Sequence, residues 1–171
     1  MKLVQPSKEM EKHFINMATD YRVANESRYQ LAFKEDFIFT TYIEKLIKES
    51  KEENLKPGYV PSTTYWLIND CGKILGVSRL RHYLAPHLEV EGGHIGYDVP
   101  PTERMKGYGT ILLKFTLEKA KEMGMKEVLI TCDTDNVGSA KIITNNDGIF
   151  ENEIISYESG KKVSRYWVSI E

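Results

Sequence analysis

The chain has little cysteine: Cys71 and Cys132 are its only two in 171 residues, far apart and outside any metal-type spacing. That excludes a disulfide framework and reads as two reduced thiols. No apolar run is long enough to cross a bilayer. The amino terminus mixes Lys2, Lys8, Glu9, Glu11 and Lys12 with apolar residues, unlike an export leader. A cytoplasmic protein with no membrane association is therefore expected. Charge of one sign is not in excess either: 23 Lys and Arg face 25 Asp and Glu, net −2, with the basic residues scattered, so no nucleic-acid partner is expected. Repeats and low-complexity tracts are missing, and the length suits one domain over residues 1–171. Metal motifs fail residue by residue. Asp133-Thr134-Asp135 with Gly138 begins like a calcium loop, but Val137 occupies a ligand position and Thr144 stands where a bidentate Glu belongs. His82, His87 and Glu89 merely flank Ala85-Pro86, so no metal is expected. A Walker-type loop is lacking, and so is the third glycine of a dinucleotide fingerprint.

What the chain does have is Arg104-Met105-Lys106-Gly107-Tyr108-Gly109-Thr110, a glycine loop between an extended run and an amphipathic helix. Upstream, His94 to Val99 reads as a strand ended by Pro100 and Pro101. Downstream, Leu112, Leu113, Leu117, Ala120 and Met123 share one helical face, with Lys114, Glu118, Lys121 and Glu122 on the other. The first N–H groups of such a helix lack internal partners and lie at its positive end, which suits phosphate oxygens. Gly107 and Gly109 remove the Cβ atoms that would block approach.

Around this loop the chain reads as follows. Lys2 to Val4 forms a short strand, and a helix starting at Pro6-Ser7 carries Met10, Phe14 and Met17. A second helix, capped by Asp36, presents Phe39, Tyr42, Ile43, Leu46 and Ile47 before a charged end at Lys48 to Glu53. Tyr65 to Ile68 and Ile74 to Leu80 make a hairpin through Asn69-Asp70-Cys71-Gly72. Glu127 to Thr131 is a strand, Asn136 to Asn145 a helix, and Ile149 to Tyr157 with Val163 to Ile170 a closing strand pair.

The order strand, Arg-x-x-Gly-x-Gly, helix, strand resembles motif A of the GCN5-related N-acetyltransferases (GNAT), and the element order resembles that family over nearly the whole chain, most specifically from His94 to Phe150. The resemblance implies an α/β (α+β) fold whose central mixed, mostly antiparallel twisted sheet is flanked by helices. It implies an acyltransferase that moves the acetyl group of acetyl-CoA to a primary amine of a small molecule or peptide by direct attack. Arg104, Gly107 and Gly109 match the motif directly. By the same resemblance Lys106, Tyr108 and Thr110 join them around the pyrophosphate. Tyr97 and Val99 lie along the pantetheine arm, and Asn136 and Ser139 match the family's Asn-x-x-Ala/Ser contact. An N-cap at Asn136 is the alternative reading.

The amine needs a proton acceptor, because at pH 7 an alkylammonium with a pKa of about 10.4 is only about 0.04% neutral. His94 is the first candidate, with Asp98 and Glu103 as alternatives. Strand alternation puts His94 and Asp98 on one face and Ile95, Tyr97 and Val99 on the other. Where many family members carry a tyrosine to protonate the departing thiolate, this chain has Ile143, leaving Tyr108, Tyr166 or water as substitutes. That departure keeps a non-catalytic acyl-CoA-binding or sensor domain as the alternative function. A module using the loop for ATP or NAD is a third. Tyr29, Phe33, Tyr42, Tyr83 and Tyr157 offer aromatic material for an acceptor site or for core packing. A homodimer is compatible with the sequence, but no motif specifies one.

Overall fold

The computed structural model describes residues 1–53, 55–157 and 159–170. Strand β1 (Lys2–Val4) leads through a 3-10 turn into helix α1 (Glu11–Val23), then α2 (Phe39–Ser50) and the hairpin β2 (Ser62–Ile68) and β3 (Ile74–Arg81). A short helix α3 (Pro86–Val90) precedes β4 (Ile95–Asp98), α4 (Tyr108–Glu122), β5 (Glu127–Asp133), α5 (Val137–Thr144), β6 (Ile149–Ile155) and β7 (Lys162–Ser169).

The strands form two antiparallel sheets, β1-β2-β3-β4 and β5-β7-β6, so β4 and β5 are both edge strands and face each other across a gap. The β2–β3 hairpin is fixed at its tip by Asn69, whose Oδ1 accepts the N–H groups of Cys71 (3.1 Å) and Lys73 (2.9 Å). On one face of the first sheet, α1 buries Phe14, Met17, Ala18 and Tyr21, which recur at helical spacing, and α2 adds Phe39 and Ile43. Phe14 stacks on Trp66 of β2 with ring centroids 5.8 Å apart, and this aromatic cluster is the core beneath both helices. The other face carries α4, whose Leu112, Leu113, Thr116 and Ala120 are buried. There the hydroxyls of Thr116 and Ser78 meet at 2.7 Å, so neither polar group is stranded. The second sheet lays Val128, Ile130, Tyr166 and Val168 against the same core as Ile143 of α5.

Three features differ from the sequence reading. Asp36 does not cap α2, whose N-cap is Ile38 in extended conformation with no side-chain bond. Pro86 opens α3 rather than only interrupting the chain, as a proline can at a first helical turn. The sheet is also not continuous. Hydrogen bonding between β4 and β5 is confined to one end, where the His94 N–H donates to Leu129 O at 2.7 Å. Among the described residues no helix is long and apolar enough to cross a membrane.

Candidate active site

The gap has a closed end and an open end, each set by a glycine. At the closed end Gly93, with φ +59°, lies so close to β5 that a Cβ would stand 2.4 Å from Leu129 O. At the open end Gly107, with φ +83°, is the N-cap of α4, and a Cβ there would meet nothing within 4 Å. Met105 also has positive φ. Among the described residues no backbone carbonyl takes the N–H groups of Met105, Lys106, Gly107, Tyr108, Gly109 or Thr110. Alternating backbone handedness and a fifteen-residue helix behind it make this a concave N–H surface suited to an oxyanion. Gly109 has another task. Its Cβ would stand 2.4 Å from Cδ1 of Ile142, so it lets α4 and α5 pack closely.

The two loop cations are held by carboxylates. Arg104 makes a bidentate pair with Glu26 (2.6 and 2.8 Å) and donates Nε to Val99 O at 3.0 Å. Lys106 bonds Glu103 at 3.1 Å, and Lys73 bonds the other Glu103 oxygen. Burial raises the Glu103 carboxyl, but its hydrogen bonds to Lys73 and Lys106 outweigh this and leave it below the usual range. A carboxylate clamped by two ammonium groups is a poor proton acceptor.

His94 and Asp98 share the α1/α2 side of β4, with Gly96 between them. The Nδ1 of His94 accepts the N–H of Leu129 at 2.9 Å, so in the neutral ring Nε2 bears the proton and is a donor. Burial pushes the His94 pKa below its ordinary value. Asp98 is buried and saturated. It accepts the hydroxyls of Tyr21 (2.7 Å) and Tyr29 (2.9 and 3.1 Å), Arg79 at 3.0 Å and Arg28 at 3.4 Å. Burial, with the negative Asp98 beside them, raises the pKa values of both tyrosines, so they remain donors. Neither His94 nor Asp98 thus offers an unoccupied basic atom in this state.

Tyr97 points to the opposite side, where its hydroxyl meets Ser139 Oγ at 2.7 Å in the first turn of α5. The structure thus brings together two residues nominated for the pantetheine arm. Asn136 caps α5, its side chain accepting Ser139 N–H at 3.0 Å. Tyr166 is buried in the core against Phe150, ring centroids 5.6 Å apart. Burial raises the Cys132 thiol pKa, so this cysteine is a poor thiolate. The sequence reading passed over Arg79, Arg28 and Tyr21. Its available signal was Arg79, a lone cation on the apolar run Ile74 to Leu80, a strand covered on both faces.

Two edge strands that part toward a glycine loop, with that loop opening a helix, make a cleft whose geometry suits a phosphate-bearing arm between sheets. The profile described as the Acetyltransferase (GNAT) family matches residues 25–144, and the chain belongs to that family. Acetyl-CoA is the family's cosubstrate, and the protein is an acetyltransferase. No curated protein matches it in sequence. Among solved structures it is similar to the Salmonella typhimurium acetyltransferase that modifies the N-terminal serine of a 50S ribosomal subunit protein (15% identity, 99% of this chain and 94% of that one, TM-score 0.69). It is also similar to the microcin C7 self-immunity acetyltransferase MccE in complex with acetyl-CoA and AMP (16%, 98% and 91%, TM-score 0.69). A variant of the Vibrio cholerae spermidine N-acetyltransferase SpeG is a third (10%, 99% and 95%, TM-score 0.64).

Proposed function

We propose that the protein transfers the acetyl group of acetyl-CoA to a primary amine by direct attack within a ternary complex. The observation that carries this reading is the parting of β4 from β5 toward the unpaired N–H groups of residues 105–110. The residues fit the cosubstrate. The loop N–H groups would hold the pyrophosphate, and the edge of β4 at Ile95 and Tyr97 would pair with the pantetheine arm as with an added strand. Acetyl-CoA supplies an activated acyl group, and its carbonyl needs a donor worth about 3 kcal/mol in the transition state, a task for a β4 N–H.

The amine nitrogen attacks the thioester carbon, the C–S bond breaks, and the thiolate leaves as the amine proton is lost. With His94 and Asp98 occupied, that proton passes to water at the open α1/α2 face. A thiolate with a conjugate-acid pKa near ~8.5 is a tolerable leaving group without a protein acid. The high pKa of Cys132 favours direct transfer over an acyl-enzyme. The acceptors named for SpeG and for the ribosomal acetyltransferase are both amines, which supports the reaction class. The two free thiols, together with acetyl-CoA as cosubstrate, favour the cytoplasm as its place of work.

The test is calorimetric titration with acetyl-CoA followed by thiol release against amino acids, peptides, polyamines and aminoglycosides. Saturable release with one amine class is expected. Tight acetyl-CoA binding with no release from any amine would overturn the reading.

A further inference from the structure

We infer that the acceptor is an amine bearing a carboxylate, bound over Gly96 with its anion on Arg28; this rests on the acetyl-transfer reading above. Gly96 lies in the middle of β4, beside the gap, and a Cβ there would meet nothing within 4 Å. The space is on the α1/α2 side. Its register partner across the sheet is Arg79, and its same-side neighbours along the strand are Asp98 and His94. Open space at Gly96 therefore adjoins a stretch where β4 and β5 are not paired.

The charge beside this space is positive. Two guanidinium groups, Arg28 and Arg79, address one carboxylate, Asp98, leaving a net charge of one. The adjacent Glu26 is spent on Arg104. Arg79 is committed on both terminal nitrogens, to Asp98 and to the Tyr29 hydroxyl at 2.9 Å. Arg28 is not: it touches Asp98 through one nitrogen at 3.4 Å, and its side chain is 53% exposed. A guanidinium so loosely held has a donor fork free for a planar oxyanion. The same positive balance repels a polycation. The acceptor's own ammonium is tolerated because its anion compensates it and because it must be neutral to attack.

The experiment compares thiol release with glycine, alanine and glycyl-glutamate against ethanolamine, tyramine and spermidine, in wild type, Arg28→Gln and Gly96→Val. Carboxylate-bearing amines should be preferred at least tenfold in kcat/KM. Arg28→Gln should erase that preference through KM. Gly96→Val, which fills the space on a strand that accepts a branched residue, should raise acceptor KM with acetyl-CoA affinity unchanged. Phosphoethanolamine separates a carboxylate site from a general oxyanion site: a rate equal to that of glycine would overturn the carboxylate assignment. Spermidine or tyramine matching the amino acids would overturn the inference while leaving acetyl transfer intact. Should no amine release thiol, the transfer reading fails. The inference is then read from binding of N-acetylglycine and N-acetylethanolamine to the CoA complex, and is overturned if the two bind alike or if Arg28→Gln leaves N-acetylglycine binding unchanged.

Discussion

Alanine at Gly93 should cost far more stability than alanine at Gly107, although both glycines have positive φ. Holding alanine at φ +59° costs about 1–2 kcal/mol. At Gly93 the new methyl would also stand 2.4 Å from Leu129 O and 2.9 Å from Leu129 C, which are backbone atoms that no rotamer change can move aside. Relief requires β5 to retreat from β4. That retreat breaks the His94 N–H to Leu129 O bond and the Leu129 N–H to His94 Nδ1 bond, each worth about 1 kcal/mol net. The sum is about 4 kcal/mol, or about 8–16 °C in Tm for a chain of this size. At Gly107 only the φ cost of about 1–2 kcal/mol applies, because the methyl meets no atom within 4 Å. Urea unfolding of both variants, with the slope m checked against wild type, measures the difference. Equal midpoints for the two variants, or Gly93→Ala within about 1 kcal/mol of wild type, would refute the claim that Gly93 pins the closed end of the gap.

Alkaline pH should unfold the protein steeply. Burial raises the pKa values of Tyr21, Tyr29 and Tyr42, the last to about 12, while the unfolded phenols ionise near 10. Their stabilisation is complete below pH 10 and is lost above it, at up to about 4 kcal/mol per pH unit for three protons, and urea titrations from pH 9 to 11.5 should show the fall. His94 has the opposite sense. Its folded pKa lies below its unfolded value, so its contribution is present above about pH 6.5 and lost as pH falls; His94→Ala should flatten that acid limb in thermal melts. Asp98→Asn should cost about 2–4 kcal/mol in urea, because it leaves Arg79 and Arg28 facing an amide. A variant as stable as wild type but devoid of turnover would instead make Asp98 the base.

The glycine loop was legible because its requirements are local. Positive φ at Gly107 and a helix start at Tyr108 leave marks within a few residues, and the 3.6 and 2.0 periodicities around them separate helix from strand. The helix end at Asn136 was legible for the same reason. What stayed hidden depends on partners distant in sequence. Asp98 looks like a surface carboxylate until Tyr21 and Tyr29, 77 and 69 residues away, close on it. His94 looks like a free base until Leu129 spends its Nδ1. Arg104 and Lys106 look like phosphate ligands until Glu26 and Glu103 pair with them. In each case composition gives the side chain's chemistry, and only packing gives its remaining valence.

That remaining valence also decides how the two halves of the site are joined. Arg104 belongs to the cofactor loop, yet its guanidinium lies over the Tyr21 ring, is locked to Glu26, and takes Val99 O at the end of β4. Glu26 sits two residues before Arg28, and Tyr21 bonds the same Asp98 that Arg28 and Arg79 address. The loop that would hold pyrophosphate and the wall that would hold the acceptor therefore share one bonded frame, although Arg104 and Glu26 are 78 residues apart. Bidentate pairs resist reorientation better than single contacts, so this frame would fix the distance between the two ligands, which direct attack would demand more strictly than any single side-chain identity. An enzyme built this way can lose the usual tyrosine of α5, where Ile143 is buried in the core, and still satisfy the larger requirement, which is position.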